Sequence, residues 1–172
     1  LIKVLDEQVT EMIRQYARSD ALIVQFPDNL DGIMTNPNLF KEYCLSHYQK
    51  YADLLHAQNK KMCSHVDGNL KPLVDLLPAS GLDVYESFSP WPLTDLKLEK
   101  ALNTWTDTVI IWGGIPSPVL EKTTDEDTFR KFVDHYFALI DGRPTIVGIG
   151  DQVMPGSLIE RVKYIAQQIK VL

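Results

Sequence analysis

The sequence predicts an α/β protein of parallel strands, on three observations. Short apolar runs alternate with longer amphipathic runs five times along the 172 residues. The short runs are near-continuously apolar, as strands buried on both faces of a sheet must be. Each is followed by a polar or glycine-containing loop and then by helical periodicity, the order that gives right-handed crossovers and gathers loops on one face. A doubly wound open sheet satisfies this, as do five consecutive units of an eight-unit barrel. The chain enters directly into a helix that would belong to an earlier unit, which favours the second half of a (β/α)8 TIM barrel. Residues 1–172 read as one domain, since no stretch is rich enough in Pro, Gly or Ser to divide them.

The elements run in order along the chain. Val4, Leu5, Val9, Met12, Ile13 and Tyr16 recur at helical spacing from Leu1 to about Arg18. Ala21 to Phe26 is too short and too apolar for a helix and reads as the first strand, with a polar loop from Pro27 to Gly32. Asn36-Pro37 offers an N-cap and a proline at the first helical position of a helix reaching about Gln58. Met62 to Val66 is the second strand, broken at Gly68-Asn69, and Leu70 to Pro78 is read as a short amphipathic helix. Leu82 to Ser87 is the third strand. Thr94 is positioned to cap a helix from Asp95 to about Asn103. Thr108 to Trp112 is the fourth strand, closed by Gly113-Gly114. Thr124, with Asp127 three residues on, resembles a capping box for a helix to about Ile140. Thr145 to Ile149 is the last strand, and Ser157 to the chain end the last helix.

Composition narrows the function. A net charge of −6, with lysines spread along the chain, argues against a nucleic-acid backbone or an anionic membrane surface as partner. No apolar segment approaches the roughly 20 residues that span a bilayer, so a cytoplasmic protein is expected. Cys44 and Cys63 form no disulfide framework or paired knuckle and read as small core residues. The start at Leu1, inside a helical pattern, suggests part of a longer polypeptide.

Strand ends are where such folds place their chemistry. His65 and Asp67, two apart in an extended segment, can project to one side. His65 is either a metal ligand or proton carrier, or a hydrogen-bonded plug at the strand end; Asp67 either joins it or caps the next helical run. Glu86 ends the third strand and Asp151 comes just after the fifth, each a candidate ligand or base, or else a solvated strand-end or turn carboxylate. Asp28, Trp91 and Trp112 are candidate substrate contacts. Asp28 and Asp31 read otherwise as loop residues and the tryptophans as packing. His47, His56 and His135 lie within or beside helices and carry no assigned chemistry. The Gly113-Gly114 pair is no phosphate loop, having no lysine at the required spacing.

Four ordered motifs resemble the uroporphyrinogen decarboxylase superfamily: His65-Val66-Asp67-Gly68, Gly81-Leu82-Asp83, Trp112-Gly113-Gly114-Ile115-Pro116, and Gly148-Ile149-Gly150-Asp151 with Pro155 beyond. Phe26-Pro27-Asp28, Asn36-Pro37 and Phe40 resemble the loop after that family's fourth strand. The resemblance covers the whole chain, as the C-terminal half of a family barrel. It implies either a decarboxylase of tetrapyrrole biosynthesis or a methyltransferase that works with a corrinoid carried on a partner protein. In the methyltransferases a His-x-Cys pair and a later Cys hold zinc; His65, Asp67 and Asp151 stand at those positions, a harder and weaker zinc site. The decarboxylase has histidine where Asp151 stands and none at His65, so the methyltransferase type is the better match.

The resemblance implies a small-molecule substrate and a metal such as zinc at His65, Asp67 and Asp151. The strand-end position of Glu86 adds it as a candidate ligand or base, so that the metal would be held by His65 with Asp67, Glu86 or Asp151, and catalytic roles are expected for His65, Glu86 and Asp151. A decarboxylase-like enzyme would need no metal, and a non-catalytic half-barrel serving as a binding module is the third reading. Five of eight barrel strands leave two apolar edges, so a homo-oligomer, or an N-terminal half completing the barrel, is expected.

Overall fold

The computed structural model describes residues 1–105 and 107–169. Its sheet consists of β1 (Ile23–Asn29), β2 (Lys61–His65), β3 (Val84–Phe88), β4 (Ile110–Pro116) and β5 (Thr145–Gly150), in the order β1-β2-β3-β4-β5. All four pairings are parallel. A doubly wound sheet reverses its order at a switch point; this one never does, so the topology is that of five successive barrel units. Asn29, His65, Glu86, Trp112 and Ile146 pair in one row across all five strands.

The helices are α1 (Ile2–Ala17), α2 (Leu45–His56), α3 (Leu98–Thr104), α4 (Glu126–Ile140) and α5 (Ile159–Ile169). A short helical turn, Pro37–Leu39, and a π-helical stretch, Phe40–Cys44, lead into α2. Asn36 caps that turn as expected: its side chain accepts from the amides of Asn38 and Leu39, with Pro37 behind it. The core lies between the sheet and these helices. Trp105 lies edge-on to Tyr85 and Phe88 there and gives its indole N–H to the carbonyl of Val74.

Several expectations need correction. Leu70 to Pro78 is a chain of turns ending in a 3-10 helix, Leu77–Ser80. Its pattern is helical, and Leu70, Leu73, Val74 and Leu77 are all buried. But Pro72 and Pro78 remove two backbone donors from nine residues, and most of the bonds that form are of the i−3 type. Thr94 caps no helix; its hydroxyl donates to the Ser89 carbonyl, and α3 begins three residues later than expected, at Leu98. Asp125, rather than Thr124, caps α4 by accepting from the Thr128 amide. β1 runs on through Pro27 and Asp28 to Asn29, with a register shift there; an edge strand tolerates a proline and a bulge. Gly113-Gly114 continues β4 to Pro116 instead of closing it. α5 starts at Ile159, and the final three residues of the helix expected there lie outside the described ones.

α1 is tied to α2 by a carboxylate that periodicity alone does not single out. Asp6 accepts from Lys50 Nζ at 2.7 Å and the Tyr51 hydroxyl at 2.8 Å, and His47 Nδ1 lies 2.8 Å away. The Lys50 and Tyr51 bonds hold its carboxyl well below the usual carboxylate range. A depressed acid adds stability above its unfolded pKa, about 4, that is lost as pH falls through that range and below. Asp6→Asn is therefore expected to flatten the acid limb of stability, measured by urea unfolding from pH 7 down to pH 3. A limb as steep as wild type would place the acid sensitivity elsewhere.

Both flanks of the sheet are apolar. Ile2, Leu5, Met12 and Tyr16 of α1 are exposed, and a groove of about 390 Å³ lined by Met12, Tyr16, Ile23 and Phe26 runs along β1. On the other flank Ile146 and Ile159 are exposed.

Candidate functional site

The site is built at the carboxyl end of the sheet. His65 is the last residue of β2, and its carbonyl accepts from the Leu30 amide. Beside it on β3, Glu86 Oε2 lies 2.6 Å from His65 Nδ1 and also accepts from Gln25 Nε2 at 3.0 Å. That contact assigns the ring proton to Nδ1 and leaves Nε2 facing outward. Burial opposes charge on the imidazole, but the hydrogen bond and charge of Glu86, with Asp67, outweigh it and hold the His65 pKa above its ordinary value. The side chain keeps 28% of its surface exposed, enough to meet a ligand.

Asp67 Oδ2 lies 3.6 Å from His65 Nε2. Asp151 completes the group: one donor atom each from His65, Asp67 and Asp151 lie within 4.8 Å of one another. Two ligands of a tetrahedral zinc with bonds near 2.1 Å are about 3.4 Å apart, so the His65–Asp67 spacing fits a shared cation, with Asp151 within 4.8 Å of both. Glu86 lies outside this set. It sits behind His65 at Nδ1, in the carboxylate–histidine arrangement that orients a metal-ligating imidazole.

That Asp151 arrives here depends on glycine. In a flat sheet, three strand spacings would put the ends of β2 and β5 about 14 Å apart. The sheet is tightened where the end of β3 meets the middle of β4: Gly113, at φ +122, lies so close to Phe88 that a Cβ would sit 2.9 Å from its carbonyl oxygen. A Cβ on Gly150 would collide with Ser89 Oγ.

The other anticipated residues are dispersed. Trp112 pairs with Glu86 and Ile146 and stands half-buried beside the site. Trp91, 59% exposed, lines instead a separate groove of about 200 Å³ with Leu98, Phe132 and His135. The Asp28 carboxylate accepts from Ser64 Oγ at 2.7 Å and from the Tyr48 hydroxyl, and burial pushes its pKa up. These bonds tie β1 to β2 and α2. Asp31 accepts from the amides of Ile33, Met34 and Asn69, joining the loops after β1 and β2. Asp83, at the opposite end of β3, is held by Lys61, His56 and the Met62 amide. Cys44 and Cys63 are free, and burial pushes the Cys63 thiol up to about 12, as befits a core residue. Gln25 and Ser87, both engaged with the site, went unnoticed in the sequence because neither residue type signals chemistry by itself.

These features define a half-barrel with a histidine and three carboxylates converging at the strand ends. The model of the family described as Uroporphyrinogen decarboxylase (URO-D) matches residues 1–171. The chain belongs to the uroporphyrinogen decarboxylase family. Among solved structures it is similar to a methyltransferase from Methanosarcina mazei, with a TM-score of 0.64 and 17% identity over 92% of this chain. The match spans 45% of that chain, so the present sequence covers less than half its length. A search of curated proteins finds no matching relative.

Proposed function

We propose that this chain carries the metal-holding half of a methyltransferase-type member of the family, acting on a small molecule together with a corrinoid-bearing partner protein. The observation that supports it most is the meeting of His65, Asp67 and Asp151, with Asp67 beside Nε2 and Glu86 bonded to Nδ1 of the same ring. The similarity to a solved methyltransferase agrees with the reading.

A divalent cation held by His65, Asp67 and Asp151, such as zinc, would supply Lewis acidity, lowering a thiol pKa or polarising an ether oxygen. The chain does the rest. Glu86 keeps the Nδ1 proton and so presents the Nε2 lone pair to the mouth, while Gln25 holds Glu86 in place. Two carboxylates beside one imidazole make a harder donor set than thiolates and favour cations that accept oxygen ligands. Trp112, paired with Glu86 across β3 and β4, is the residue offered as a wall for the substrate. No helix among the described residues is long and apolar enough to cross a membrane, and a cytoplasmic location fits the reading.

The family's description favours a second reading, a decarboxylase-like enzyme in which acidic side chains bind or protonate pyrrole rings without a metal. Titration of the metal-stripped chain with Co²⁺, followed by its visible absorption, separates the two. One Co²⁺ per chain is expected, and no uptake would leave the decarboxylase or a non-catalytic half-barrel.

The exposed apolar flanks make a further partner part of the proposal, either a second copy or the other half of a barrel. In sedimentation the 172-residue chain alone is expected to self-associate as its concentration rises. A cooperative, concentration-independent monomer would mean that the flanks need no cover.

A further inference from the structure

We propose that Ser87 is a positioning residue of the site, holding Asp151 where its carboxylate meets His65 and Asp67. The proposal rests on reading those three residues as one donor set.

Ser87 is the extra residue of a bulge: Glu86 pairs with Trp112 and Phe88 with Gly113, leaving Ser87 without a partner across β4. Bulges re-aim side chains next to functional sites. Ser87 takes a left-handed backbone conformation, φ +64, which glycine adopts without steric cost and serine does not. What serine adds there is its hydroxyl. That oxygen, on a residue only 3% exposed, accepts the backbone N–H of Asp151 at 2.6 Å, linking the end of β3 to the loop after β5 across the intervening strand. The bulge is itself braced, because the Ser87 carbonyl accepts from buried Ser89 Oγ.

Asp151 needs such an anchor more than the other donors do. His65 is held by β2 pairing and by Glu86, and Asp67 comes two residues after it. Asp151 opens an exposed stretch, 151–156, and is itself left-handed, φ +58. Behind it, Gly150 packs against Phe88 and Ser89, so the hydroxyl meets the Asp151 amide at the point where the chain leaves the sheet. Fixing that amide sets the direction in which the carboxylate leaves the backbone.

Ser87→Ala and Ser87→Gly test this together, because the glycine variant meets the backbone demand while still lacking the oxygen. Hydrogen exchange of the Asp151 amide and Co²⁺ affinity are measured in wild type and both variants of the whole chain, with thermal unfolding alongside. Exchange protection of Asp151 is expected to be lost in both variants, and Co²⁺ affinity to fall about tenfold in both, as for other residues that support a metal ligand, although Ser87→Gly melts no lower than Ser87→Ala. Protection unchanged in both variants overturns the anchor. Wild-type Co²⁺ affinity in Ser87→Gly also overturns the proposal, because it leaves Ser87 a backbone role alone. If wild type takes up no Co²⁺ while both variants lose Asp151 protection, the anchor stands and the metal reading is what fails.

Discussion

Replacing His65 with alanine is expected to abolish Co²⁺ uptake at the strand ends, lowering affinity by more than about 100-fold, since one of three ligands is lost along with the only nitrogen. Glu86→Gln should weaken binding less, by about 10- to 100-fold, because the amide can still meet Nδ1 but no longer polarises the ring. This order distinguishes Glu86 as a support from Glu86 as a ligand. The same titration applied to the two variants measures it. Equal and complete loss in both would put Glu86 on the cation, as the sequence alone suggested, and wild-type uptake by His65→Ala would place the metal elsewhere. His65→Ala should still fold, because the side chain stands at the rim of the core; a cooperative thermal melt checks that.

Gly113→Ala is expected to be the most damaging small substitution in the sheet. The residue sits at φ +122, where side-chain-bearing residues are strained, and the added Cβ would lie 2.9 Å from Phe88 O and 3.0 Å from Phe88 N. Those neighbours are backbone and cannot swing away. Strain and overpacking together suggest a loss of about 3 kcal/mol, or about 6–12 °C in melting temperature for a chain of this size. Gly156→Ala is the control, since a Cβ there meets nothing within 4 Å. Both are read from thermal unfolding. Because Gly113 lets the end of β3 lie close against β4, its replacement should also weaken Co²⁺ uptake; a destabilised variant with wild-type affinity would show that the mouth tolerates loosening.

Local chemistry made much of the fold legible. Continuous apolar runs identified all five strands, and Asn36-Pro37 marked its helix start, because burial on two faces and the geometry of a first turn are recorded in neighbouring residues. The same logic misled at Leu70 to Pro78. Periodicity there reports which side chains face the core, and they do, but two prolines decide how the backbone bonds. The loop expected from Pro27 misled for a related reason: a polar residue beside a proline reads as loop, whereas β1 continues through Pro27 and Asp28 to Asn29, and the Asp28 carboxylate bonds Ser64 and Tyr48.

The sequence by itself placed His65 and Asp67 on a shared side and Glu86 and Asp151 towards strand ends, since a period of two and a turn signal are local; in the structure Glu86 stands in the middle of β3 and Asp151 just after β5. Only the tertiary structure decided which carboxylate does what. Glu86 lands on Nδ1 because β3 pairs with β2 in a register that sets it directly beside His65. Asp151, 86 residues further along the chain than His65, comes within reach of His65 and Asp67 where glycines let β3, β4 and β5 pack closely. Register and curvature are sums over many weak contacts between distant segments, and no stretch of sequence carries them locally.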